Sequence, residues 1–456
     1  MSGLILSADI GTSSLKAALI DFDGYLLAFD RTVYRRNSAG QIDAEAWELA
    51  FAKIMESLKI QAGGRNIDGI CISGNGPTLV PLNMAGQAMA PLYWYDGKIT
   101  LPANVEAKSF FLPYASWFKM NSPEKYEKVE HFVSSHEWLA ARLGADIFTA
   151  LPSQAYESYY WDEKQLRLYG LDNEKFPPFV KMGTVVGKVS QEAARTYGSL
   201  TGLKSGIPII AGGPDFISAL IGTGTREPGD VCDRAGSSEG INVCVKPPFN
   251  NEALKKDGFR LLPHAVEGLW NISALIPSSG KLFEWFRTNT GQENRDYAEL
   301  LRELIPSIDS PSVFRDLHFS PLPQLSKEPK LTPSHSSKLN LGRTVLCTIA
   351  FSVRSAIKKL TDSGFPVKEM RVSGGQGKSR RWNQLKADIC GVSLLIPEIN
   401  DGELAGNAII ASASLGGGEG GAIRFRELYQ PNPENRQFWD EIWINRGVRN
   451  PVFTGF

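Results

Sequence analysis

The chain has 456 residues, with 49 Lys+Arg against 49 Asp+Glu and 42% apolar residues. At roughly 150 residues per domain it has room for two large domains or three small ones, and either arrangement can bury a substantial core. A net charge of zero leaves no basic surplus for a nucleic-acid backbone or an anionic membrane, so neither is expected as a partner.

Residues 4–10 read as a buried strand, interrupted by Gly11-Thr-Ser-Ser14, and residues 15–21 as a second. Asp23-Gly24 is a hairpin signal into a third strand, 25–33. Asp43 is placed to N-cap a helix running to about Leu58, with Ala46, Trp47, Ala50, Ile54 and Leu58 on one face. A strand over 67–73 follows, closed by Gly74-Asn-Gly76. Three meandering strands, a crossover helix and a further strand predict a mixed sheet. Residues 92–165 are rich in aromatics, among them Tyr93, Trp94, Trp117, Tyr160 and Trp161. These fit core packing before cleft lining.

Further along, a strand ends in Gly212-Gly213, and Asp215 stands where a helix over 216–221 would begin. Ala235-Gly-Ser-Ser-Glu-Gly, leading into a strand, echoes Ile10-Gly-Thr-Ser-Ser. Residues 309–337, rich in Pro and Ser, read as irregular. An apolar helix over 342–360 then precedes a strand over 369–373, the turn Gly374-Gly-Gln-Gly377 and a helix over 381–390. That turn echoes the one at Gly74. Two echoes in the same order predict two related α/β domains, the alternative being chance similarity between short Gly/Ser loops.

Four loops can carry chemistry. In Asp9-Ile-Gly-Thr-Ser-Ser14 a hairpin tip offers backbone N–H groups to phosphate oxygens, and Asp9 can hold Mg²⁺ through its hydration water. A plain hairpin turn is the alternative. Asp215 is either a helix cap worth about 1 kcal/mol or a general base facing a bound hydroxyl. Residues 371–379 end in Gly-Lys-Ser but are no P-loop, because Val372 stands where its first glycine is required. The Gly374-Gly375 turn can instead let a nucleotide ring approach the backbone, with Asn383 within reach. Gly236-Ser-Ser238-Glu-Gly240 matches the pattern of a serine-hydrolase elbow, yet a strand follows where a helix is needed. His131 and His136, five residues apart, fall on different faces of a helix and make no zinc pair.

Cys71, Cys232, Cys244, Cys347 and Cys390 are too widely spaced for a zinc knuckle or a redox pair. Their odd number, and an N-terminus without a basic, apolar leader, lead us to expect reduced thiols and a cytoplasmic location. No apolar run nears the roughly 20 residues of a membrane span.

Taken in order, Asp9-x-Gly-Thr-Ser, Ala211-Gly-Gly-Pro-Asp215, Gly236-Ser-Ser and Ser373-Gly-Gly-Gln resemble the FGGY carbohydrate kinases of the actin-like ATPase superfamily. Gly183-Thr-Val-Val-Gly-Lys, Trp382-Asn-Gln-Leu-Lys-Ala-Asp388 and Glu403-Leu-Ala-Gly-Asn-Ala408 extend the likeness, the last two on what would be the nucleotide side. The resemblance implies two ribonuclease-H-like domains with mixed sheets flanking a central cleft, divided at about residues 1–231 and 232–456. It implies ATP and Mg²⁺ as cofactors, a small sugar or polyol as substrate, and is compatible with a homodimer. By similarity Asp215 is the general base, Asp9 helps place Mg²⁺, and Gly11, Thr12 and Ser13 face the transferred phosphoryl. Gly236, Ser237 and Ser238 would approach the ATP phosphates, while Gly374, Gly375, Gln376 and Asn383 would border the adenosine.

On the sugar side the expected residues are Asn75, Trp94, Asp96 and Glu137 beside Asp215, with a ketopentose such as xylulose as the first substrate candidate. Here the chain departs from the family pattern. It has Asn75-Gly-Pro-Thr78 where a Gln-Met-His-Gly-like run is usual, Lys98 where Arg is usual, and Glu239 beside the phosphate loop. An acid there would repel ATP unless its side chain turns away. These departures motivate an alternative, a sugar- or nucleotide-binding regulator that kept the fold and lost efficient catalysis.

Overall fold

The computed structural model describes residues 3–38, 40–61, 65–93, 108–201, 203–236, 238–249, 252–276, 279–315, 317, 337–417 and 423–445. Trp94, Asp96 and Ser237 lie outside the described residues. The chain divides into two compact units, each assembled from separate stretches of sequence. The first takes the chain up to Gly222 together with Pro263–Glu267 and Gly402–Ile423. The second takes Thr223–Leu262, Gly268–Asp401 and the chain from Arg424 onward.

The strands that matter here are β1 (Leu4–Ile10), β2 (Ser14–Asp21), β3 (Leu26–Val33), β4 (Gly69–Gly74), β5 (Val185–Lys188) and β6 (Pro208–Ile210) in the first unit. The second unit has β7 (Val231–Ala235), β8 (Glu239–Val245), β9 (Arg260–Pro263), β10 (Trp270–Ile276), β11 (Glu369–Ser373), β12 (Ser393–Pro397) and β13 (Phe425–Tyr429). The helices used below are α1 (Ala44–Gln61), α2 (Ser135–Leu143), α3 (Asp215–Gly222), α4 (Lys338–Asp362), α5 (Arg380–Cys390) and α6 (Gly402–Ser414).

The first sheet runs β5-β6-β4-β1-β2-β3: a β1–β2–β3 antiparallel meander continued by parallel β4 and β6, with β5 antiparallel at the edge. The second sheet runs β9-β10-β8-β7-β11-β12-β13. Apart from the extra edge strand β9, its pairing repeats the first: β7–β8–β10 meander, β11 and β12 parallel, β13 antiparallel. The two echoed loops therefore occupy equivalent places. Residues 11–13 and 236–238 each join the first two strands of a sheet, and Gly74 and Gly374 each stand at the end of the central parallel strand. The duplication expected from the loops is a duplicated topology.

The central strands form where expected because they are buried on both faces; every residue of β1 and of β4 is buried, whereas the edge strand β3 is partly exposed. Asp43 caps α1 by accepting the Ala46 N–H at 3.0 Å, and α1 lays Trp47, Ala50, Phe51, Ile54 and Leu58 on the sheet. The aromatic region packs on itself: Phe111–Tyr160 centroids are 4.8 Å apart and Trp161–Phe179 5.0 Å. Within the described residues the packing reading of these rings holds. The long helix spans Lys338–Asp362, starting earlier than its apolar pattern because Ser337 caps it through the Asn340 N–H. No helix among the described residues is long and apolar enough to cross a membrane.

Candidate functional site

In the first unit, parallel pairing sets Asp9 beside Ser73, and antiparallel pairing sets it beside Lys16. Ser73 Oγ donates to Asp9 Oδ1 at 2.8 Å. The Asp9 carboxyl is 3% exposed and is pushed up to about 8, first by burial and then by the charge of Glu403 on α6. Lys16 opposes the shift, Asp215 adds to it, and the Ser73 hydrogen bond opposes it. Acids from α3 and α6 thus both act on the one from β1.

Asp215 reaches this neighbourhood through a tight backbone approach. Gly74 N–H donates to Gly213 O at 3.2 Å, and Gly74 bridges Pro214. The approach requires glycine at 212, since a Cβ there would lie 1.9 Å from Ile72 O. The half-buried Asp215 begins α3 and accepts the Phe216 N–H at 2.6 Å.

The β1–β2 tip closes with Gly11 N–H donating to Ser14 O at 3.0 Å and leaves Thr12 and Ser13 exposed. Asn75, 3% exposed, is bound to it: Asn75 N–H donates to Ile10 O at 2.8 Å and Nδ2 to Thr12 Oγ1 at 3.3 Å, while Oδ1 accepts from Thr78. Asp9, Thr12, Asn75 and Asp215 are therefore brought together by one short set of backbone contacts.

Glu137 is engaged elsewhere. It caps α2, its two oxygens accepting the Ser134 N–H at 2.6 Å and the Ala150 N–H at 2.7 Å. Burial raises its carboxyl to about 7. The second donor comes from a strand, Thr149–Leu151, 13 residues further along the chain.

In the second unit, Gly236 N–H donates to Ser238 O at 3.0 Å at the β7–β8 tip, where Gly236 and Ser238 are exposed. Gly374 has φ 101°, and a Cβ there would lie 2.5 Å from Ala235 O, so only glycine lets the β11 turn lie against the base of that hairpin. Gly375 is exposed with nothing within 4 Å of an added Cβ. Gln376 Oε1 accepts from Trp382 Nε1 at 2.9 Å. Asn383 is 1% exposed, and its Nδ2 donates to Gly377 O at 2.9 Å, which braces the turn from beneath.

Glu239 does not face the phosphate loop. It is fully buried and, with Asp233, accepts from Lys386 Nζ on α5. The expected repulsion of ATP is removed by this pairing. Burial and the neighbouring Asp233 hold the Glu239 carboxyl at about 8, against the pull of Lys386. Sequence reasoning missed Lys386 and Asp233. The available signal was a charged residue inside an otherwise buried strand, Val-Cys-Asp-Arg-Ala.

Among the described residues no group of three or more His, Cys, Asp or Glu is gathered closely enough to hold a metal directly. The Asp9 carboxyl, raised by burial and then by the charge of neighbouring acids, still fits a cation held through its waters, as Mg²⁺ prefers.

Comparison with known proteins bears on the whole chain. The N-terminal domain model of the FGGY family of carbohydrate kinases matches residues 104–222, and the C-terminal domain model matches residues 235–415. An autoinducer-2 kinase of Klebsiella pneumoniae is 22% identical, over 96% of this chain and 92% of that protein. A xylulose kinase of Staphylococcus epidermidis is 23% identical, over 96% and 95%. The crystal structure of xylulose kinase from Rhodospirillum rubrum superposes with a TM-score of 0.75 at 21% identity, covering 98% of each chain.

Proposed function

The chain belongs to the FGGY family of carbohydrate kinases, sugar phosphotransferases with the two-domain actin-like ATPase fold, and on that premise we propose that it transfers the γ-phosphoryl of ATP to a hydroxyl of a small sugar or polyol. A ketopentose such as xylulose is the first candidate, supported by the xylulose kinases among its relatives; autoinducer-2 kinases are equally similar and widen the panel.

One observation carries the assignment of roles: the Gly74–Gly213–Pro214 contact delivers Asp215 to the end of the strand pair that holds Asp9. Asp215 accepts the proton of the attacking hydroxyl, a role worth typically ~10²–10⁴-fold in rate. Asn75 is poised on the sugar side, and Gly11, whose N–H closes the tip on Ser14 O, shapes the loop from which Thr12 and Ser13 face the transferred phosphoryl. Asp9 would hold the metal's water shell, and Mg²⁺ would supply charge neutralisation along the phosphates. In the second unit Gly236, Ser237 and Ser238 receive the phosphates. Gly374, Gly375 and Gln376 border the adenosine, and Asn383 shapes their turn.

A coupled ATPase assay over ketopentoses, polyols, gluconate and autoinducer-2 tests the reading. A sugar-dependent rate at least ~100-fold above background, just under 3 kcal/mol of transition-state stabilisation, supports it. Binding across the panel without turnover supports the regulator instead. Glu239 no longer speaks for that alternative, because its side chain turns inward to Lys386 inside the unit.

A further inference from the structure

Helix α6 comes late in the chain but belongs to the first unit, covering β1 and β4 on the face that carries Ser7, Asp9 and Ser73. It crosses α3 with backbone against backbone. A Cβ on Gly406 would lie 1.9 Å from Ser218 O, and one on Gly222 would lie 2.0 Å from Gly402 O. This close crossing lowers Asn407, 0% exposed, between α3 and the sheet.

All three hydrogen bonds of the Asn407 amide have a fixed sense. Nδ2 donates to Ala8 O at 2.8 Å, and a carbonyl can only accept, so the nitrogen must face β1. The same nitrogen donates to Ser73 Oγ at 3.0 Å. Ser73 thereby has an occupied lone pair, and its single proton goes to Asp9 Oδ1. On the other side Asn407 Oδ1 accepts from Ser218 Oγ at 3.0 Å, and Ser218 lies one turn along α3 from Asp215.

We propose that Asn407 is a positioning residue of the phosphoryl-transfer site, fixing Asp9 through Ser73 and the register of the Asp215 helix through Ser218. The inference rests on the reading that Asp9 and Asp215 serve that reaction. Its physical content is pre-organisation: two acids borne on different elements are held in one frame by a single buried amide. Asn407 touches neither acid, so its effect falls on the rate of the bound complex and not on substrate affinity.

The test uses the full chain and the best substrate of the panel. Asn407→Ala is expected to lower kcat by about 10–100-fold with both KM values within about threefold, as misplacement of reacting groups does. Ser73→Ala, which removes the last link to Asp9, lowers kcat in the same direction. The double variant is no slower than the slower single one, because both break one chain. Ser7→Ala removes a different α6–β1 hydrogen bond, Ser7 Oγ to Leu404 O at 2.8 Å, and leaves kcat unchanged. A readout independent of turnover is Mn²⁺ affinity in the presence of ATP, measured by water-proton relaxation; it falls in Asn407→Ala and Ser73→Ala and not in Ser7→Ala. Should Asn407→Ala fail to fold, Ser73→Ala and Ser218→Ala test the two arms separately. Wild-type kcat and Mn²⁺ affinity in these variants, or multiplicative losses in the double one, overturn the inference. If Asp9→Asn itself keeps full turnover, it is the reading of Asp9 that fails; if Asp9→Asn abolishes turnover while the Asn407 and Ser73 variants do not, only the present inference does.

Discussion

Lys386 Nζ donates to Glu239 Oε1 across 147 residues of sequence, in a place that leaves the two side chains 1% and 0% exposed. Asp233 shares the same ammonium, so two carboxylates meet one cation, and a proton held on Glu239 makes the group neutral. Removing one partner of such a group leaves a buried charge uncompensated. Lys386→Met is therefore expected to destabilise the chain by about 3–5 kcal/mol, while Glu239→Gln costs far less, because the glutamate already carries its proton. Urea unfolding of the two variants at pH 7 checks the order.

The same group sets a pH dependence. Glu239 is held at about 8 in the folded chain against 4.5 ordinarily, so the folded state binds the proton more tightly. Its contribution is fully present below pH 4.5 and is lost as pH rises toward about 8. Asp9 and Glu137 slope the same way, so the informative quantity is a difference. Between pH 5 and pH 8 Glu239→Gln should lose less stability than the wild type. Parallel curves would show that Glu239 is ionised throughout.

Asp215→Asn separates chemistry from binding. The amide keeps the size of the side chain and can still accept the Phe216 N–H, so α3 should be undisturbed. Turnover is expected to fall by ~10²–10⁴-fold, with the melting temperature and ATP affinity nearly unchanged. Calorimetric ATP binding beside a coupled assay checks both halves. Near-wild-type turnover removes Asp215 from the mechanism.

Much of this arrangement is legible in the sequence because it is local. Strands β1 and β4 read as mainly apolar runs, and the loops that end them announce themselves with Gly, Ser and Thr. What is not legible is long-range. Nothing near Gly406 tells that it meets Ser218 O, and so nothing tells that α6 serves the first sheet. Nothing near Lys386 tells that it meets Asp233 on β7 and Glu239 on β8. Nothing near Glu137 tells that Ala150 supplies its second donor. Each miss is a polar side chain whose partner sits on another element.

Asp9 poses a conflict between stability and use. Its carboxyl is held at about 8 against 3.8 ordinarily, with burial and the charge of Glu403 as the leading causes. Folding with this group ionised is therefore opposed, increasingly as pH rises from about 4 to about 8. Asp9→Asn removes that opposition, and an amide oxygen can still accept from Ser73. In the absence of Mg²⁺ the variant should be more stable than the wild type by about 1–2 kcal/mol at pH 8, while turnover collapses. Urea unfolding with a chelator present measures the first effect. A variant less stable than the wild type would mean that the cluster of acids is already compensated in the metal-free chain.

Two glycine substitutions of equal size should have opposite consequences. At Gly406 an added methyl would stand 1.9 Å from the backbone oxygen of Ser218, and neither main chain can yield without separating α6 from α3. Gly406→Ala is expected to destabilise by at least about 3 kcal/mol, and by parting Asn407 from Ser218 to depress kcat in whatever protein remains folded. At Gly375 an added methyl meets nothing within 4 Å, so stability should stay within about 0.5 kcal/mol. If the adenosine lies against that exposed turn, the methyl will be felt by the nucleotide instead: KM for ATP rises several-fold while KM for the sugar does not move. Unfolding curves and paired KM measurements on the two variants decide it, and an unchanged KM for ATP in Gly375→Ala would take residue 375 out of the nucleotide site.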